Sequence, residues 1–76
     1  MIIKMLVMFL IRIKLGLKKY EKFQFTNQKS DYDKYYFNEI CLMKIEYDKH
    51  ANSTVREASV SLNWLLNDEC EIKKVV

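Results

Sequence analysis

MIIKMLVMFLIRIKLGLKKYEKF, residues 1–23, combines the densest apolar run of the chain with its excess of positive charge. Wound at about 100° per residue, Ile2, Met5, Leu6, Phe9, Leu10, Ile13, Gly16, Leu17 and Tyr20 share one face. The charges (Lys4, Arg12, Lys14, Lys18, Lys19, Glu21 and Lys22) fall on the opposite half. An extended chain also fits: Ile3, Met5, Val7, Phe9, Ile11, Ile13, Leu15 and Leu17 would line one side of a strand. Length separates the two, because an unbroken strand from Ile3 to Leu17 exceeds the usual span of roughly 3–10 residues. Met, Leu and Lys favour helix, while Ile2, Ile3, Val7, Ile11 and Ile13 are β-branched and pull the other way. The stretch reads as a basic amphipathic helix over 2–22, with Phe9 and its neighbours turned to the core. Ile3, Val7, Met8, Ile11 and Leu15 intrude on its polar half, so the helix is apolar on most sides, as helices buried in protein are.

A membrane span does not fit. The longest charge-free run of this N-terminal stretch, Met5 to Ile11, is far shorter than the roughly 20 residues that cross a bilayer. Arg12 and Lys14 stand where a signal peptide carries small residues. An interfacial helix, basic on one side and apolar on the other, stays open as an alternative.

Downstream, Phe23-Gln24-Phe25-Thr26 alternates like a short strand, and 27–34, NQKSDYDK, is polar and turn-rich. Residues 35–47, YYFNEICLMKIEY, have no helical stripe and read as one strand. Tyr35, Phe37, Cys41, Met43, Ile45 and Tyr47 would share its buried face. Residues 48–54, DKHANST, read as a turn. Residues 55–66 are ambiguous. Ala58, Val60, Leu62, Trp64 and Leu66 alternate as in a strand, yet Thr54-Val55-Arg56-Glu57 is a capping box that would start a helix. Strand is the preferred reading, which pairs 35–47 with 55–66 as a hairpin. Cys70 to Val76 suits a short edge strand guarded by Lys73 and Lys74. One Gly and no Pro are few for a closed barrel. The expectation is therefore α+β: one small domain, 1–76, with the helix packed on a small antiparallel sheet, all-β being the alternative.

The net charge of +3 is uneven. Residues 1–22 carry an excess of five positive charges, and the segments 23–50 and 51–76 each carry a slight negative excess. A basic head suits an anionic surface or an acidic partner. Half of the residues are apolar, more than so small a globule buries efficiently, which points to association.

Chemistry is harder to find. His50, the one histidine, reads as an exposed turn residue rather than a catalytic one, since no nucleophile accompanies it. Asp31 and Asp33 lack the Gly and terminal Glu of a calcium loop. Asn52-Ser53-Thr54 matches a glycosylation sequon, relevant only in a secretory compartment. Cys41 and Cys70 have no metal-ligand spacing and read as reduced, buried thiols of a cytoplasmic protein. No catalytic set, metal site or cofactor is expected. The function expected is a small non-enzymatic interaction module, of regulator or inhibitor type, that binds a protein partner or self-associates. Tyr35, Tyr36, Phe37 and Trp64 are its candidate interface residues. One alternative is nucleic-acid binding through Lys14, Lys18, Lys19, Tyr20, Lys22, Phe23 and Phe25, where Lys meets phosphate and rings stack on bases. The other alternative is peripheral attachment of the basic head to a membrane surface.

Overall fold

A computed structural model describes residues 2–75. A helix, α1 (Ile2–Lys14), is followed by strands β1 (Phe23–Phe25), β2 (Lys34–Phe37), β3 (Leu42–Tyr47) and β4 (Ser53–Glu57). A short helix, α2 (Leu62–Leu66), and a last strand, β5 (Ile72–Lys74), complete the chain. The fold is α+β, as the sequence implies. The five strands form one antiparallel sheet in the order β4-β3-β2-β1-β5. The first four make a meander, and the segment containing α2 carries the chain across to pair β5 with β1.

The helix is shorter than the 2–22 expected, and Gly16 explains where it stops. Gly16 sits at φ +72°, the left-handed conformation that costs other residues roughly 1–2 kcal/mol. Its N–H donates to the Ile13 carbonyl at 3.0 Å, and the Leu17 N–H donates to the Arg12 carbonyl at 3.1 Å. This pair of bonds is a Schellman cap. Leu17, just beyond it, turns into the core at 3 % exposure. Gly16→Ala meets no atom within 4 Å, so only backbone strain opposes it. The expected result is a loss of about 1 kcal/mol, read as a fall of roughly 5 °C in Tm.

The expected hairpin needs correcting on both sides. Residues 35–47 are two strands: Asn38 caps a turn, its side-chain oxygen accepting the N–H groups of Ile40 and Cys41 at 2.8 Å each. That turn reverses the alternation. Phe37 pairs with Leu42 and Tyr35 with Lys44, so Tyr35, Phe37 and Leu42 share the core face while Met43 and Tyr47 take the other. Residues 55–66 likewise change character part-way. Val55 lies in β4 opposite Ile45, but Leu62–Leu66 is helical. Ser61 is its N-cap, its hydroxyl accepting the Trp64 N–H at 3.1 Å. The capping box at Thr54 starts no helix, for Thr54 is strand. The edge strand near the C-terminus is present at Ile72–Lys74; Val76 of the expected 70–76 lies outside the described residues.

Both helices cover one sheet face. The core gathers Ile11, Leu17, Phe23, Phe25, Tyr35, Phe37, Leu42, Leu65 and Cys70, with Val7, Met8 and Leu15 packed against it. Four rings form its centre: Phe23 lies 5.4 Å from Phe25, 5.9 Å from Tyr35 and 5.8 Å from Phe37, centroid to centroid.

Candidate interaction surface

The orientation of α1 is the main departure from the sequence reading. The side chains that reach the sheet are Val7, Met8, Ile11 and Leu15, four of the five that seemed to intrude on a polar face; the fifth, Ile3, does not. Spaced four apart, Val7, Ile11 and Leu15 stack on one side of the helix. Within α1 the expected core stripe faces outward instead, and among the described residues only Leu17, beyond the helix, is buried as expected. Met5 is 41 % exposed, Leu6 55 %, Phe9 51 %, Leu10 56 % and Ile13 54 %, and Ile3 beside them is 77 % exposed. The side chain of Ile2, placed on the same stripe from sequence, lies outside those described. Six large apolar side chains thus form one continuous strip of on the order of 600 Å², at the upper end of what a monomer normally leaves open.

The cations of α1 do not interrupt that strip. Lys4 Nζ bonds Glu57 Oε1 at 2.8 Å, and this ion pair holds the Lys4 ammonium above its usual pKa. Arg12 Nη1 donates to the Leu17 carbonyl at 2.7 Å, with its guanidinium 5.3 Å from the Phe9 centroid. Lys14 Nζ donates to the Leu66 carbonyl at 3.0 Å, tying α1 to the end of α2. Each basic side chain of the helix is drawn back onto its own fold. Beneath the first turns a cleft of about 320 Å³, lined by Ile3, Lys4, Val7, Met8 and Leu62, continues the apolar surface towards α2.

The basic-aromatic run proposed for nucleic acid is divided. Phe23 and Phe25 are buried, at 0 % and 5 % exposure, and offer no ring face for stacking. Lys14 is engaged as described, and Lys19 pairs with Glu39 at 3.3 Å. Lys18 and Lys22 are exposed. Tyr20 is exposed and leans on Tyr36, with centroids 5.9 Å apart. Of the four candidate interface residues, Tyr35 and Phe37 are core, at 8 % and 1 % exposure. Tyr36 is half-buried on the opposite sheet face. Trp64 is half-buried on α2, over an open cleft of about 620 Å³ shared with Phe25, Tyr35 and Lys44. Sequence reasoning assigned Met5, Leu6, Phe9, Leu10 and Ile13 to the core and left Ile3 on the polar half. The signal was a helix apolar on two opposite sides, of which a small sheet can cover one.

His50 is exposed in the β3–β4 turn. Asp48 organises that turn, its Oδ1 accepting the N–H groups of His50 at 2.8 Å and Asn52 at 2.9 Å. Those donors, Asn52 first, hold the Asp48 carboxyl below its usual pKa of 3.8. Glu21 is likewise lowered, first by the Lys18 N–H and then by Lys74. A carboxylate whose pKa is depressed by folding adds stability above its unfolded pKa and loses it as pH falls through the folded value. Stability should therefore decline below about pH 4.5, and Asp48→Asn, which keeps an acceptor oxygen but cannot titrate, should flatten part of that decline in acid denaturation curves. Burial pushes the Cys70 thiol up; both cysteines are free and buried.

Among the described residues no helix is long and apolar enough to cross a membrane. No group of three or more His, Cys, Asp or Glu side chains among them converges as a metal site. No family model, curated protein or solved structure matches the chain.

Proposed function

We propose that the chain is a small non-enzymatic interaction module that binds protein through the outward face of α1. A single observation carries this reading: Ile3, Met5, Leu6, Phe9, Leu10 and Ile13 are 41–77 % exposed in one strip, with Lys4 and Lys14 bonded away from it and Arg12 at its rim beside Phe9. That much apolar area left in water contributes nothing to folding, whereas covering it is favourable by roughly 25 cal/mol per Å². A partner that covers the strip recovers this energy. Phe9 and Met5 are of the residue types enriched at interfaces. The cytoplasm suits such a module, since a reducing compartment keeps Cys41 and Cys70 as the buried thiols the core uses.

Photocrosslinking tests the reading. A benzophenone side chain placed at Phe9 should crosslink to protein in the cell, and the same group at Arg56, on the far edge strand, should not. Equal yields at the two positions, or none at Phe9, would contradict it.

A further inference from the structure

We infer that the occupant of this face is a second copy of the chain, docked with the two α1 helices antiparallel. The inference rests on the reading of α1 as a docking surface and goes beyond it by naming the partner. Leu6, Phe9 and Ile13 follow one another at intervals of three and four, the spacing of a helix–helix seam. Antiparallel packing about a two-fold axis sets Leu6 of each copy against Phe9 of the other. Ile3 then lies along Leu10 of the second copy, and Met5 beside the aliphatic stem of its Arg12.

Area and charge agree with this arrangement. About 600 Å² from each copy gives roughly 1,200 Å² in all, which reaches the lower bound of specific, stable interfaces. A +3 chain is expected to repel its own copy, but the seam brings no like charges together. Lys4, Arg12 and Lys14 are bonded at 2.7–3.0 Å to Glu57, the Leu17 carbonyl and the Leu66 carbonyl, and they stay at the rim. Antiparallel helices also oppose their dipoles, whereas parallel ones would align them. The other routes to self-association are blunted. On the β4 edge Arg56 pairs with Glu46, and the β5 edge carries Lys73 and Lys74, charges that discourage strand pairing.

Sedimentation equilibrium of the purified protein over micromolar to ~1 mM concentrations should give twice the 9.2 kDa chain mass. Phe9→Asp puts two unpaired carboxylates in one seam and should weaken the dimer by ~100-fold or more. Leu6→Lys alone should weaken it comparably. An equimolar mixture of the two variants should recover the double mass, because position 6 of one copy faces position 9 of the other only in the antiparallel register. Four results would overturn the inference: a wild-type monomer throughout, a dimer indifferent to Phe9→Asp, no recovery in the mixture, or a monomer that pellets with phosphatidylcholine–phosphatidylglycerol vesicles. A wild-type monomer that still crosslinks from position 9 to a different protein would remove the dimer and leave the docking surface. No crosslink at all would remove both.

Discussion

Ile11→Asp is expected to unfold the protein. Ile11 is the residue of α1 most deeply set against the sheet, at 1 % exposure and within the cluster formed with Leu17, Phe23, Phe37 and Leu65. The substitution removes the packed side chain, which alone costs about 2–5 kcal/mol. It also places a carboxylate among apolar groups with no partner, and desolvation of an unpaired charge adds several kcal/mol more. The whole stability of a chain this size is on the order of 5–10 kcal/mol. Far-UV circular dichroism should show loss of both helix and sheet. A native spectrum would mean that α1 does not use its Val7–Ile11–Leu15 side to hold the fold.

The second large effect is expected at Phe23. It is 0 % exposed, on a strand flanked by β2 and β5, and its ring meets those of Phe25, Tyr35 and Phe37. Phe23→Ala removes the shared member of three ring pairs and leaves a cavity that neighbours on three strands cannot all collapse to fill. The loss should be about 3–5 kcal/mol, or roughly 15–30 °C in Tm for a chain of this length. Denaturant titration should show the midpoint falling with little change in slope. A loss below about 1 kcal/mol would place the centre of the core elsewhere.

These two residues also mark how far the sequence could be read. The fold class followed from the apolar N-terminal run, too long for a strand, and from one Gly and no Pro, too few for a closed barrel. Turn chemistry was legible where polar residues cluster, in 27–34 and 48–54, although Lys34 begins β2 and Ser53 and Thr54 begin β4. Three features were not. The helix terminus depended on Gly16, whose role as a cap shows only once the chain beyond it must turn for Leu17 to enter the core. The strand at 35–47 hid a turn because Asn38, Glu39 and Ile40 sit among strand formers, and four residues of turn exchange the two sheet faces. The segment 55–66 contained signals for both strand and helix because it is both, β4 ending at Glu57 and α2 starting after Ser61.

The interaction surface was partly legible in a different sense. Its residues were picked out by periodicity, but periodicity cannot say which of two apolar sides of a helix meets the sheet. Tertiary packing decides that. Ile11 and its i±4 neighbours fit over the ring cluster, and Lys4 and Lys14 reach Glu57 and the Leu66 carbonyl only in this orientation. Tyr35 and Phe37 were expected at an interface, and Phe23 and Phe25, in the alternative reading, at stacked bases. Alternation in the short strands placed all four inward.

Phe9→Asp tests the central claim most directly, with circular dichroism and mass measured on the same sample. Phe9 is 51 % exposed and one face away from Ile11, so the account predicts a native spectrum together with the mass of a single chain. An unfolded spectrum would put Phe9 in the core and reverse the orientation of α1. A native spectrum with the wild-type mass, and crosslinking from a neighbouring Leu10 position no stronger than from Arg56, would leave the outward face without a partner and contradict the account.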